Sequence, residues 1–508
     1  MLLTFLPLII AATAFLLRLT LNLSHDGFLG VDGGAYLLSR NYVLGDEPTG
    51  AGFPRPPLAP GWLLVPFTAI WGDNIGYKVW AAVAAGLPAI PVYLLTKQCV
   101  RSPWAPAFAV GFLSLDLMHS EMMVTGALPL IGFTLIGLSW WSAGNLLAPR
   151  NQARNAIILA LSLGLTPWIN QTSAGLMVIT LPIYIAAILW FGPYDKWTSI
   201  KRLFPSLIIG GLIGLGALPW YLDIAPNSSI LHFGGGHWVY PGSMADIAWI
   251  QAIMAVALGW WIIQHPSDYR LQALGMVLIT LGLLCPWLSY DETIINIFYR
   301  SGYLMAVPFY PLVTWLVFRY WIPNIIELQE QCRFLGRDII LVRPAIIQTC
   351  LITAVAIMLS GFVWQHYNQS RYSEMITPAT ARALDYLANQ PEQEGVITNS
   401  FTLSLWVAAL NKVNSPFAFT AEPPRAYTED DKDIRCLLGW VDGCNPLESK
   451  RRLSVGYILV DLRFPHLNER SPGNYLAPPG QWLVTAHSPW LQLEFAQDTT
   501  RVWKIMAD

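Results

Sequence analysis

The chain has 508 residues, 54% of them hydrophobic and only 12% charged, about half the ~25% charge of an ordinary soluble domain. With a mean hydropathy of +0.44, it carries too much apolar surface for a soluble enzyme of this length. The balance of 30 basic against 32 acidic residues offers nucleic acid no basic face to bind.

The N-terminal stretch MLLTFLPLIIAATAFLLRLTLNL is apolar as far as Arg18 and has neither a basic leading segment nor a small-residue cleavage site, so it reads as an uncleaved first span. Apolar runs approaching the ~20 residues that cross a bilayer follow at 76–97, 104–117, 123–147, 155–169, 173–192, 204–222, 247–263, 271–288, 301–321 and 345–364, which with 2–22 makes eleven. The stretch 57–71 is shorter and suits a helix lying in the interface. If it does not cross and the N-terminus is cytoplasmic, twelve Lys and Arg fall on the cytoplasmic side against five outside (Arg18, Arg40, Arg55, Lys78 and Arg300). A crossing at 57–71 would reverse that bias against the positive-inside rule. The odd count then places the C-terminus outside.

Charge rises near residue 365, with 29 charged residues falling in 366–508. This divides the chain into a transmembrane domain, 1–365, whose first outside loop is 23–75, and an extracytoplasmic domain, 366–508. The tail reads as a small α/β module. Thr377-Pro378 starts a helix with Pro at its first position, running to about Asn389, and Ser400 starts a second, to about Leu410. Alternating or apolar runs at 456–462, 481–485, 491–495 and 501–505 read as strands. Cys436 and Cys444, in RCLLGWVDGC, either form a disulfide, as an extracytoplasmic tail would permit, or stay as two thiols. No GxxxxGK[ST] and no GxGxxG after a strand is present, which disfavours a nucleotide cofactor or donor.

The outside loops hold the ionisable groups that call for a functional explanation at a membrane face. Loop one carries Asp26, Asp32, Asp46 and Glu47, then Gly52-Phe-Pro-Arg-Pro-Pro57, whose Gly and Pro dictate an irregular backbone. A short turn carries Asp116, His119 and Glu121; His119 and Glu121 suit helix capping or an acid/base or metal cluster near Asp32. His232 and His237 flank three glycines, a flexible loop and a weak metal signal. A last loop, 289–300, carries Asp291, Glu292 and Arg300.

Three segments in order, GVDGGAYLLSRNYVLG, FPRPPLAPGWLLVPFTAIWG and NIGYKVWAAVAAGLPAIPVYLLTKQ, resemble the start of a GT-C superfamily membrane glycosyltransferase, the group of the dolichyl-phosphate-mannose protein mannosyltransferases and the aminoarabinose transferases. FYRSGYLMAVPFYPL, from Phe298, resembles the late Arg/Tyr-then-Pro span of that group. The resemblance implies a polytopic α-helical fold of about 11 spans with juxtamembrane helices and a small outer C-terminal α/β domain, in a bacterial inner membrane or its equivalent. It implies transfer of a sugar from a polyprenyl-phosphate donor to a lipid, glycan or protein acceptor, with inversion. Asp32 would be the base that takes the acceptor proton, with Tyr36 as the aromatic that follows it; Arg55, from its place in the proline run, either orders loop one or contacts substrate. Lys78, Arg300 and Tyr303 would meet the donor phosphate, where cations offset developing charge. Two departures stand out: Asp32 is followed by Gly33 where many members have a second acid, and Gly126 stands where many have an Asp. These leave metal use open. They also keep alive an alternative reading, a catalytically inactive relative acting as a structural subunit with a protein partner.

Overall fold

The computed structural model describes residues 12, 15–16, 18–29, 33–46, 58–102, 104–114, 116, 128–147, 152–218, 242–265, 268–284, 301–321, 374–390, 394–398, 401–410, 412–413, 432–433, 436–437, 443–462 and 489–506. A helical segment at 18–23 leads into strand β1 (Phe28–Leu29) and helix α1 (Gly33–Leu44) of loop one. Helix α2 (Leu58–Gly86) turns a corner at Gly72, where φ is 73° and ψ 172°, a conformation open to glycine because it has no Cβ. The arm before the corner, 58–71, is the stretch read from sequence as interfacial. The arm after it, 73–86, opens the second span and folds back so closely that a Cβ on Gly76 would lie 2.6 Å from the Phe67 carbonyl oxygen.

The bundle continues through α3 (Ala89–Cys99), α4 (Ala105–Ser114), α5 (Leu128–Leu146), α6 (Gln152–Ile169), α7 (Gln171–Phe191), α8 (Lys196–Leu215), α9 (Gly242–Gln264), α10 (Tyr269–Leu284) and α11 (Ala306–Leu316), which ends in a π turn, Val317–Trp321. Among the described residues four helical stretches are long and apolar enough to cross a membrane: Ala59–Cys99, Thr172–Phe191, Lys196–Leu215 and Ser301–Tyr320. Small residues let neighbouring helices touch backbone to backbone, as is usual in lipid. A Cβ on Gly210 of α8 would sit 2.8 Å from the Ala160 carbonyl of α6, and one on Gly259 of α9 would sit 2.6 Å from the Gly275 carbonyl of α10. The interior packs Phe133, Trp140, Tyr184, Leu274 and Tyr303, while Trp190, Leu212, Ile253 and Trp260 face outward.

The C-terminal domain starts with β2 (Glu374–Ile376) and α12 (Pro378–Ala388). The side chain of Thr377 caps α12 by accepting from the Thr380 amide at 3.1 Å, and Pro378 takes the first helical position, where its missing N–H costs nothing. There follow β3 (Gly395–Thr398), α13 (Phe401–Leu410), α14 (Pro446–Leu453), β4 (Val455–Asp461), β5 (Leu491–Gln497) and β6 (Thr500–Ile505). The sheet order is β3-β4-β6-β5, with β3 parallel to β4 and the other two pairings antiparallel. β4 is buried on both faces: Tyr457 and Leu459 pack towards α12 and α13, and Ile458 and Val460 towards Leu437 and Ile505. Cys436 and Cys444 are joined as a disulfide. Beside it Asp433 accepts from Ser449 Oγ at 2.7 Å and Arg452 at 2.5 Å, which ties the bridged loop to α14.

Several elements differ from the sequence reading. The second span is interrupted at 87–88, with Pro88 ahead of α3. The strands β1, β2 and β3 and helix α14 were not expected. The expected strand 481–485, the last span 345–364 and the domain boundary at 365 lie outside the described residues.

Candidate functional site

Loop one is built against both the second span and the C-terminal domain. β1 pairs antiparallel with β2, Phe28 opposite Ile376 and Leu29 opposite Glu374, across 345 or more residues of chain. The Gly27 amide donates to Glu374 Oε1 at 2.8 Å. From the other side, Lys78 donates its ammonium to the His25 carbonyl at 2.5 Å, and Asn74 Nδ2 donates to the Asp26 carbonyl at 2.8 Å. Arg40 of α1 forks onto both oxygens of Asp73, at 2.5 and 3.0 Å. The planar guanidinium suits such a two-pronged grip, and it fastens α1 to the corner of α2. Asn41 Nδ2 donates to the Ala409 carbonyl of α13 at 2.7 Å.

One aromatic cluster fills the space between these contacts. Trp406 of α13, fully buried, meets Phe28 at 5.1 Å and Tyr77 edge-on at 5.8 Å between ring centroids. Tyr36 meets Trp80 edge-on at 5.5 Å. Such tilted and edge-to-face pairs add to the stabilisation from area alone. Gly33, the first residue of α1, sits against the Trp406 ring, where a Cβ would lie 2.3 Å from Cζ2. Burial holds the His25 imidazole below its ordinary range; the Glu374 carboxylate raises it, the Lys78 cation lowers it, and Asp26 raises it again.

Of the residues singled out from sequence, Tyr36 of loop one packs on Trp80, and Lys78, two residues before Trp80, bonds the His25 carbonyl of the same loop. Lys78 is buried rather than presented to solvent. Tyr303 lies apart from them, buried in the bundle interior ahead of α11. Asp32, Arg55, His119, Glu121, His232, His237 and Arg300 lie outside the described residues, although those flanking Asp32, Leu29 and Gly33, are both fixed by the C-terminal domain. Among the described residues no three His, Cys, Asp or Glu side chains form a group that could hold a metal ion.

A second polar group was missed. Arg18 is buried, donating to the Ser114 carbonyl at 3.1 Å and the Ala85 carbonyl at 3.3 Å, and it interacts electrostatically with Asp116. Asp116 accepts from the Tyr310 hydroxyl at 2.5 Å and from Gln251 Nε2 at 3.4 Å. Five separate stretches of chain thus converge on one buried charge pair. The signals in the sequence were Asp116 in its turn and an Arg interrupting the first apolar run, the kind of intramembrane charge that is usually paired.

The fold is shared with solved structures of an oligosaccharyltransferase, of ArnT and of an arabinofuranosyltransferase. Among solved structures it is similar to the oligosaccharyltransferase AglB of Archaeoglobus fulgidus in complex with an inhibitory peptide and a dolichol-phosphate, with a TM-score of 0.57 at 12% identity over 98% of this chain and 74% of that one. It is similar to ArnT of Cupriavidus metallidurans in the apo state, with a TM-score of 0.57 at 12% identity over 98% of this chain and 97% of that one. It also matches the mycobacterial arabinofuranosyltransferase AftD, with a TM-score of 0.54 at 13% identity, over 98% of this chain but 40% of that one. No protein-family model matches the sequence, and no curated protein matches it significantly. The chain is therefore a polytopic α-helical integral membrane protein with a small C-terminal α/β domain.

Proposed function

We propose that this chain is a membrane glycosyltransferase that moves a sugar from a polyprenyl-phosphate carrier to an acceptor hydroxyl on the extracytoplasmic face. The observation that carries the reading is the likeness to ArnT, which runs through nearly the whole of both chains and so includes the outer domain as well as the bundle. ArnT has been captured with undecaprenyl phosphate and AglB with a dolichol-phosphate, and the donor proposed here is of that class. The acceptor is a lipid, a glycan or a protein.

In the proposed step Asp32 takes the acceptor's hydroxyl proton as its oxygen bonds to the anomeric carbon. The bond from that carbon to the phosphate oxygen breaks, and its electron pair leaves with the polyprenyl phosphate. A single displacement inverts the anomeric centre. Lys78, Arg300 and Tyr303 serve the leaving phosphate, where positive charge and donors lower the barrier. Lys78 donates to a neutral carbonyl, and the carboxylates of Glu374 and Asp26 also act on its charge. His119, Glu121, His232, His237 and Arg55 are the remaining candidates for contacts to substrate or a divalent metal.

One observation favours a second reading, an inactive relative serving as a structural subunit. The packing of Gly33 against Trp406 leaves no room for a second carboxylate beside Asp32. Native mass spectrometry of the purified protein with polyprenyl phosphate and a panel of polyprenyl-phosphate sugars separates the two. Retention of one lipid-sugar, weakened in Lys78→Ala, followed by transfer that Asp32→Asn abolishes, supports the enzyme. No retention of any member, with a constant co-purifying protein, supports the subunit.

A further inference from the structure

We infer that the bundle holds a binding site for a phosphate-bearing anion at the end of the second span away from Lys78, with Arg270 as its cation and Tyr184 as a neutral donor. Four helices meet there. α3 ends with Gln98 and Cys99, α5 brings Gly144 and Asn145, α7 contributes Tyr184, and α10 opens with Tyr269 and Arg270. The Gln98 amide, oriented with its oxygen towards Arg270, accepts from Nε at 3.1 Å and from Nη1 at 2.9 Å. It also meets the Asn145 side chain at 3.1 Å. Arg270 Nε is shared with the Tyr269 hydroxyl oxygen, at 3.0 Å. These bonds orient the guanidinium without neutralising it. Asp268, the acid beside it, accepts from the Arg270 backbone amide at 2.8 Å, and among the described residues no carboxylate forms an ion pair with the Arg270 side chain.

Tyr184 points independently to a ligand. Its side chain is 0% exposed, and its hydroxyl has no hydrogen-bond partner among the described residues. Leaving a buried hydroxyl unpaired is costly. Its electrostatic neighbours are Cys99, Arg270, Tyr269 and Asp268, which places it within the cluster. A Cβ on Gly144 would lie 2.8 Å from the Tyr184 hydroxyl and 3.5 Å from the Gln98 amide. Glycine there keeps open the gap on which both groups converge. A guanidinium edge with a hydroxyl donor beside it matches the oxygens of a phosphate. The surroundings favour phosphate over other anions. Trp190 and Trp197, 76% and 64% exposed, carry Lys196 and Lys201 over their rings at 5.5 and 5.3 Å, as aromatics and cations do at the level of lipid headgroups. Lys97 and Arg154 lie at the same end of the bundle, where the described acids Asp195 and Asp268 are both engaged by backbone amides. A lipid headgroup and free phosphate offer the same oxygens, and the experiment separates them. None of this depends on the transferase reading.

The test uses the full-length protein, stripped of lipid by exchange into fresh detergent. Phosphatidic acid, diacylglycerol or inorganic phosphate is added, and retention by native mass spectrometry and the thermal unfolding midpoint are measured. Phosphatidic acid should be retained over diacylglycerol, which has the same tails and no phosphate, and should raise the midpoint. Tyr184→Phe should unfold no lower than wild type without ligand, because its hydroxyl bonds nothing in the protein, and its retention should fall by about fivefold, the worth of one neutral hydrogen bond. Arg270→Gln should lower retention by about tenfold or more. Lys201→Gln, on the exposed rim, and Lys78→Ala, beside loop one, should stay within about twofold. Should Arg270→Gln fail to fold, Tyr184→Phe decides. A midpoint raised by inorganic phosphate alone, and not in Tyr184→Phe, supports the site and assigns it to free phosphate. A lower ligand-free midpoint in Tyr184→Phe gives the hydroxyl a role in packing and overturns the proposal. Equal retention of diacylglycerol, equal losses in Lys201→Gln and Arg270→Gln, or binding of neither lipid nor phosphate overturns it as well.

Discussion

Asp116→Asn tests whether the buried charges of Arg18 and Asp116 act as a pair. Asp116 is 5% exposed and Arg18 2%, so neither charge can relax into water. The carboxylate also accepts from Tyr310 at 2.5 Å and Gln251 at 3.4 Å. Breaking one partner of a buried pair costs about 3–5 kcal/mol, chiefly because the other charge is left uncompensated. Asn at 116 keeps an acceptor for Tyr310, a bond worth about 1 kcal/mol net, so the cost should fall near the lower end, about 3 kcal/mol. Arg18→Met leaves the carboxylate unpaired and also frees the Ser114 and Ala85 carbonyls, so a similar or slightly larger loss of about 3–4 kcal/mol is expected. With both substitutions no charge is stranded, and the double variant should be more stable than the sum of the singles predicts by about 2 kcal/mol, within the range for neighbours in contact. Equilibrium unfolding by a denaturing detergent, titrated against a mild one at fixed lipid content, measures all four corners of the cycle. Additivity to within about 0.5 kcal/mol would refute the pairing and reduce the group to independent hydrogen bonds.

Three further outcomes follow from the same geometry. Gly72→Ala places a side chain at φ 73° and ψ 172° with no atom within 4 Å of its Cβ, so the loss should be pure backbone cost, about 1–3 kcal/mol, read as a lower unfolding midpoint with unchanged oligomeric state. Reducing the Cys436–Cys444 bridge reopens a link of sequence separation 8, and loop-closure entropy for so short a loop sets the loss of C-terminal-domain stability at about 2.5 kcal/mol. The two thiols should react with a membrane-impermeant maleimide added outside cells only after reduction, and labelling without a reductant would contradict the bridge. Because burial lowers the His25 pKa, the folded protein binds a proton there less readily than the unfolded chain does. Stability from this group is present above the unfolded value near 6.5 and is lost as pH falls from there through the folded value. His25→Gln should flatten that part of the stability profile, measured by thermal unfolding between pH 7.5 and 5.

What could be read from the sequence was what is local. Spans declare themselves by length and hydropathy, and the start of α12 by a capping Thr and a Pro that sit side by side. Helix α14 carried equally local signals: Asn445 as its cap, accepting from the Leu447 amide at 3.2 Å, with Glu448 in the first turn and Lys450, Arg451 and Arg452 in the last, a distribution that the helix dipole favours. The acidic and basic surroundings hid it among loop residues. The strands β1, β2 and β3 are two, three and four residues long, too short for an alternation to register, and β1 exists only because residues some 345 positions later lie beside it.

Arg18 marks the limit of a one-dimensional reading. Hydropathy places it near the end of a span and invites a side chain reaching to the interface; only the packing of the helices shows it turned inward onto two carbonyls and a carboxylate. Lys78 repeats the lesson beside loop one. Its position at the start of a span was legible, but its partner, the His25 carbonyl, belongs to a loop whose strand pairs with residues of the C-terminal domain. The ionisable and aromatic residues of loop one could thus be listed from the chain alone. The contacts that join loop one to the C-terminal domain could not, because they pair residue 29 with 374 and bring residue 33 against 406. In this fold the C-terminal domain packs against the first loop, and an acid at position 33 would collide with the rings of Trp406 and Tyr77.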